Sequence, residues 1–309
     1  MKKKGFTLVE LLVVIAIIAM LLAILMPALG KVRALAYRLM CGTNLSGIGK
    51  AMNVYSNDYL EQYPVTTGGT AAAPVTWDYK NSVEFWDLDI VLNSTFSWTT
   101  VTTATASSSL YLLIKYADVS PKQFVCSSST AKKFEITTQS GNSNYTIKVK
   151  DPTQAWDFGQ AMAAGAGAKG PWNFCSYAYQ MPYTPTGANM IKKTLSVTMA
   201  AANVLAADSS PWYKNGAKVT AVAPTTTSTG TGPYIPSKDD WGLTTNVSAN
   251  KDRIKLANST NHNQDGQNVL YNDCHVNFES QSNVGVNNDN IYTYWISNVS
   301  NVSTDQSEV

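Results

Sequence analysis

The residues best suited to chemistry are two histidines, His262 and His275, the only ones among the 309 residues. Asp265 and Asp273 lie close to them in sequence, and Asp208 is a more distant candidate. Imidazole nitrogens and carboxylate oxygens can hold a cation or exchange protons near neutral pH, so this set could form a metal site or an acid–base pair. No HExxH, GxSxG or phosphate-loop pattern accompanies them. Histidines near a hairpin commonly bond to backbone and fix a turn, and that structural reading is favoured over a bound cation, with catalysis last. Four cysteines, Cys41, Cys126, Cys175 and Cys274, show no CxxC spacing, which argues against a zinc knuckle or a thioredoxin-type site. Outside the cytoplasm two disulfides are expected, and four cysteines allow three connectivities. Trp98, Trp172, Trp212 and Trp241 could stack on sugars if exposed, although such residues more often pack into a core.

A third kind of signal is a carboxylate in an apolar context. The chain opens MKKKGFTLVELLVVIAIIAMLLAILMPALG, and Glu10 is the only charge between Gly5 and Gly30. The apolar run approaches the roughly 20 residues that cross a bilayer as a helix. A carboxylate at bilayer depth costs about 2.5 to 3.5 kcal/mol on insertion scales, so Glu10 is a functional hypothesis by default. An ordinary secretory signal has the same basic start and apolar centre, but no small-x-small cleavage site follows here. Lys2, Lys3 and Lys4 stay cytoplasmic by the positive-inside rule. They also account for the whole formal excess of +2, leaving no basic surplus for a nucleic-acid backbone. Charged residues make up only 14% of the chain, which suits an exported protein more than a cytosolic enzyme.

The elements that must position these residues are read from periodicity. Leu45, Ile48, Met52, Tyr55 and Tyr59 recur three or four apart, so one helix is expected from about Phe6 to Asp58, ended by Tyr63 and Pro64. Its length would be about 80 Å at 1.5 Å per residue. Gly42, Gly47 and Gly49 weaken its second half, and close packing against a sheet would explain them. A short helix is expected from about Ser108 to Tyr116, then a loop through Pro121 that places Cys126. Four pieces read as strands of an antiparallel sheet: NYTIKVK, FCSYAYQM, LSVTMAAANVLAAD and QNVLYNDCHVNFE. In the last, Asn272-Asp273 turns a hairpin whose inner face is expected to carry Val269 and Tyr271 with Val276 and Phe278. The stretches at 163–172 and 223–233 are expected to be exposed loops.

KKKGFTLVELLVVIAII resembles the class III signal of type IV pilins and type II secretion pseudopilins. The resemblance implies cleavage by a prepilin peptidase after Gly5, methylation of the new N-terminal Phe6, and neutralisation of a neighbouring subunit's terminal amine by Glu10. Pairing the two buried charges across subunits would then favour assembly in register. Pro27 falls where the family often has a helix-breaking proline and is expected to allow a kink or a melted stretch. The implied fold is α+β and pilin-like, a long N-terminal helix packed on an antiparallel sheet with large loop insertions. The implied organisation is a leader over 1–5, a transmembrane and polymerisation helix over 6–30, an amphipathic half over 31–62 and a head over 63–309.

Function follows from the same resemblance: a structural, non-enzymatic subunit of a pilus-like filament or secretion pseudopilus. Its partners would be sibling subunits, the peptidase, and an inner-membrane platform with its ATPase. It would start as a single-pass inner-membrane precursor and end in an extracellular or periplasmic filament. A tip subunit that binds a surface or carbohydrate, and a tethered ectodomain that never polymerises, are the alternatives. Some pseudopilins are stabilised by calcium, for which Asp265 or Asp289, the latter within NVGVNNDN, would supply oxygen ligands; solvated surface is the preferred reading of both.

The stretch 261–279, with LYLLIKYADVSPKQFVC and CGTNLSGIGKAMNVY, is similar to large prepilin-like proteins that carry a C-terminal His-x9-Asp-Gly signature. Here ten residues separate His262 from Asp273, and Cys274 stands in place of the glycine. A glycine would supply positive φ in the turn, so a cysteine implies another turn or about 1 kcal/mol of strain. That family commonly has cysteines where Cys41 and Cys126 lie, which implies one bridge between them and a second between Cys175 and Cys274.

Overall fold

The computed structural model describes residues 7–65, 76–77, 103–104, 106–134, 157–158, 173–180, 183–186, 189–192, 195–211, 213–214, 217–218, 251–286 and 290–292. Helix α1 spans Leu8–Asp58. At 1.5 Å per residue it is about 76 Å long. It runs unbroken through Pro27. Beyond it Tyr59 caps the C-terminus, and Leu60 and Glu61 adopt positive φ, so the helix stops several residues before Tyr63 and Pro64.

The two halves of α1 differ in what they touch. Cys41, Leu45, Ile48, Gly49, Met52, Tyr55 and Ser56 are its buried residues. These positions form one stripe at three- and four-residue spacing, as expected for a helix face on a core. Tyr59, the last of the expected periodic positions, is 39% exposed instead.

The stripe packs on a four-stranded antiparallel sheet in the order β10-β9-β6-β3. Its strands are β3 (Tyr177–Tyr179), β6 (Val204–Asp208), β9 (Gln267–Tyr271) and β10 (Val276–Glu279). Among the described residues three small pairs complete the strands: β1 (Thr76–Trp77) with β2 (Thr103–Ala104), β4 (Tyr183–Thr186) with β5 (Asn189–Lys192), and β7 (Tyr213–Lys214) with β8 (Ala217–Lys218). An α+β pilin-like architecture is thus in place. Helix α2 spans Ala106–Tyr116, two residues earlier than expected, and a 3-10 turn at Pro121–Phe124 delivers Cys126 to α1. Leu110, Tyr111, Leu113, Phe124 and Phe158 form the aromatic-rich core against α1 and the sheet. A short helix α3 (Lys251–Leu256) precedes the C-terminal hairpin. The NYTIKVK piece and the stretches 163–172 and 223–233 lie outside the described residues, as do Trp98, Trp172, Trp212 and Trp241.

The glycines of α1 act as anticipated at two positions. A Cβ on Gly49 would come within 2.8 Å of the fully buried Leu270, and one on Gly42 within 3.2 Å of Asn268. Both neighbours belong to β9, so a Cβ at Gly49 would force the buried Leu270 side chain to shift, and one at Gly42 would press on Asn268. Gly47 faces Gln123 of the 3-10 turn instead.

Two expectations are corrected. Val276 pairs with Leu270 and Phe278 with Asn268, and directly paired residues share a face. Val276 therefore joins Leu270 on the α1 side, whereas Val269 and Tyr271 lie on the opposite face in a second cluster with Tyr292. The alternation differs from the expected one because the turn is longer than two residues: the Tyr271 N–H donates to the His275 carbonyl, which leaves Asn272, Asp273 and Cys274 as the loop. That three-residue loop ends in the left-handed region, as such loops do. Cys274 has φ 65°, so the cysteine keeps the backbone that a glycine would favour and carries the strain.

The second correction concerns the cysteines. Cys41 and Cys126 form a disulfide with Cα atoms 5.1 Å apart. Cys175 and Cys274 are free. Cys175 precedes β3 and Cys274 follows β9, and β6 lies between those strands. Two strand spacings amount to about 10 Å, beyond the reach of roughly 7 Å between bridged Cα atoms. The buried Cys175 thiol donates to the Tyr177 carbonyl at 3.4 Å, and burial pushes its pKa up to about 12. Cys274 accepts from the Asn53 side-chain amide at 3.1 Å.

Candidate functional site

The first half of α1 is the most unusual surface among the described residues. Its apolar side chains are uncovered, with Leu8 at 78%, Met26 at 72% and Leu39 at 65% exposure. A helix apolar on every side needs lipid or other helices around it. The segment is long and apolar enough to cross a membrane.

Glu10 sits in its first turn and makes a contact that the sequence reading missed. Its Oε2 accepts from the Thr7 N–H and the Thr7 hydroxyl, each at 2.8 Å, while the Glu10 N–H donates back to the Thr7 hydroxyl oxygen at 3.3 Å. This is a reciprocal capping box. It satisfies orphan N–H groups and puts a negative charge at the positive end of the helix dipole. The signal was available, since Thr-x-x-Glu before an apolar run is the pattern of that cap. Gly5 and Phe6 lie outside the described residues.

Residues 1–26 match a family model described as the prokaryotic N-terminal methylation motif. The chain therefore opens with a type IV pilin-like prepilin signal. The motif marks a prepilin-peptidase-processed, pilin- or pseudopilin-like structural protein and not an enzyme. With the exposed apolar helix, it points to membrane anchoring. No curated protein and no solved structure matches the chain.

The histidines separate into two unrelated pairs. His275 sits on the hairpin turn, where its N–H donates to Asp273 Oδ1 at 3.1 Å, its ring pairs with the same oxygen, and it stacks on Tyr271 at 4.3 Å. The backbone N–H of His275, then its side chain, hold the Asp273 carboxyl below the usual carboxylate range. This pair is exposed and ties down the turn, the structural role expected of a hairpin histidine.

His262 is the buried one. Its Nε2 lies 3.3 Å from Asp208 Oδ2, 3.3 Å from Asn268 Nδ2 and 3.6 Å from Cys126 Sγ, beside the disulfide. The His262 and Asp208 side chains are 1% and 0% exposed. Asp208 ends β6, where Oδ2 accepts the Asn268 N–H at 2.7 Å and Asn268 Nδ2 at 3.0 Å. Asp208 Oδ1 has no hydrogen-bond partner among the described residues. His262, Asn263 and Gln264 are all at positive φ, a strained run that surrounding contacts hold, among them the His262 N–H donated to Ser128 Oγ at 3.1 Å. Phe278 meets the ring edge-on, and Arg38 of α1 lies over Phe278 at 4.4 Å.

Asp265 takes no part in either pair. Its two oxygens are engaged by Arg38 at 2.9 Å and Lys255 at 3.0 Å, so it clamps the loop before the hairpin to α1. The other oxygen-ligand candidate, Asp289, lies outside the described residues. Chain order alone could not bring the Cys41–Cys126 bridge to His262, because their meeting depends on how α1 crosses the sheet.

Proposed function

We propose that this protein is a structural subunit of a type IV pilus-like filament or type II secretion pseudopilus. The carrying observation is an uncovered apolar helix whose first part lies within a methylation motif, with one carboxylate in its first turn. In the membrane, lipid covers that helix; in a filament, equivalent helices of sibling subunits do. Cleavage after Gly5 gives a new amine on Phe6, one residue from the Thr7 amide that Glu10 caps. In assembly the Glu10 carboxylate turns from its own cap to the Phe6 amine of a neighbour, which offsets two charges that would be costly alone in an apolar bundle.

One charged pair, Arg38 with Asp265, and a disulfide hold the head to the helix, so that it follows the helix into the filament as one body. Prepilin peptidase, an inner-membrane platform with its ATPase, and sibling subunits are the partners of this reading. The head lies outside the cytoplasm, in keeping with the disulfide.

The test is mass spectrometry on filaments sheared from expressing cells. A chain that begins at an N-methylated Phe6 within the filaments supports the proposal. A chain confined to the membrane fraction and still carrying residues 1–5 refutes it.

A further inference from the structure

The buried cluster beside α1 has the composition of a metal site. Sulfurs of Cys41 and Cys126, a carboxylate oxygen of Asp208 and a ring nitrogen of His262 all lie within 4.8 Å of one another, and all four residues are buried. We propose that, with its two thiols reduced, the chain binds one borderline-soft divalent cation of the zinc type at Cys41, Cys126, Asp208 and His262. Disulfide and metal are then alternative occupants of the same pair of sulfurs.

The distances support this assignment. A tetrahedral zinc ion has bonds of about 2.0–2.2 Å to nitrogen and oxygen and about 2.3 Å to sulfur. The edges of such a tetrahedron are about 3.4 Å between nitrogen and oxygen and about 3.6 Å between nitrogen and sulfur. The His262–Asp208 and His262–Cys126 separations are 3.3 Å and 3.6 Å. In the disulfide the sulfurs stand closer than the about 3.8 Å of two thiolates around zinc, and the remaining donor pairs lie within 4.8 Å of one another, so binding requires the freed sulfurs to part and the donors to draw in.

The hydrogen bonding supplies a second, independent observation. Asp208 is fully buried, yet among the described residues Oδ1 has no donor. His262 Nε2 faces both an acceptor, Asp208 Oδ2, and a donor, Asn268 Nδ2, so neither tautomer satisfies both contacts. A cation between nitrogen and carboxylate removes that conflict, and leaves Asn268 to hold the carboxylate through its backbone and side-chain N–H groups, as residues behind metal ligands do.

The exchange balances in two steps. A thiol reductant transfers two electrons and two protons to the disulfide, breaking the S–S bond and leaving as its own disulfide. The cation then displaces one proton from each thiol and bonds to both sulfurs and to the His262 and Asp208 atoms. Oxidation by a disulfide-bearing partner reverses the sequence and expels the ion.

The experiment uses the full chain in detergent, prepared either with its thiols kept reduced by a phosphine or fully oxidised, and titrated with Co²⁺ as the probe. The reduced chain should take up one Co²⁺ with thiolate-to-cobalt charge transfer and tetrahedral d–d absorption, and Zn²⁺ should bleach both. The oxidised chain should show neither. Cys126→Ser should lose most of the charge-transfer band, Asp208→Asn should weaken binding about tenfold or more, and the double variant Cys175→Ser/Cys274→Ser should bind like wild type. A reduced wild-type chain without a thiolate band, or a band that survives oxidation or moves with Cys175 and Cys274, overturns the proposal. The comparison of reduced and oxidised wild type decides it even if a variant fails to fold.

Discussion

Removing the Cys41–Cys126 bridge should cost the head much of its stability. The bond joins α1 to the loop after the Pro121–Phe124 turn and closes a loop of 85 residues. In the chain-entropy model, a loop of that length lowers the entropy of the unfolded chain by an amount worth about 4.6 kcal/mol at 25 °C, within the usual range of about 2–5 kcal/mol for removing a native bridge. Both sulfurs are fully buried, so a Cys41→Ala/Cys126→Ala variant also loses packing beside Leu45 and Phe124. Urea unfolding of the detergent-solubilised chain, with a chelator present throughout, should show a midpoint lower by about 1 M or more at an m-value of about 3 kcal/mol/M. Reduced wild type should account for most of that loss. A variant within about 0.5 kcal/mol of the oxidised wild type, or a reduced wild type unchanged from it, would refute the reasoning, since either would mean that the loop is already constrained in the unfolded chain.

Three further outcomes follow from the hairpin and the helix–sheet contact. Cys274→Val should cost about 1 kcal/mol or more, because a β-branched residue at φ 65° is strained, while Cys274→Gly should be neutral or stabilising in the same denaturation assay. Gly49→Val should lose about 2 kcal/mol through the clash with Leu270, again read by urea midpoint. Burial, then the neighbouring Cys274, pushes the Tyr63 hydroxyl up to about 12, and burial, then Glu279, does the same for Tyr271. A raised folded-state pKa gives stability that is complete below the unfolded value of 10.0 and is lost as pH rises toward about 12, so alkaline melts should show falling Tm across that window, with tyrosinate absorbance appearing together with unfolding.

The first sixty residues were the most legible. An uninterrupted apolar run with one carboxylate, followed by three-and-four spacing, defines α1 and its buried stripe through local rules alone. The hairpin was legible as two strands but not as faces, because one residue in the turn decides which side Val269 points to. Asp208 was nameable as a candidate, yet its pairing with His262 rests on β6 lying next to β9, a long-range fact that no local pattern carries. The second bridge failed for the same reason: strand order separates Cys175 from Cys274, and strand order was not readable. The Thr7–Glu10 cap is legible as Thr-x-x-Glu before an apolar run, which makes Glu10 part of a helix's first turn as well as a charge in an apolar segment.

The most direct test of the account is electron microscopy of filaments from cells that express wild type or Glu10→Ala, with the mature N-terminus of each checked by mass spectrometry. The account predicts filaments from wild type, none from the variant, and processing after Gly5 in wild type. Filaments of equal abundance from both, or a wild-type chain that remains unassembled with residues 1–5 attached, would contradict it.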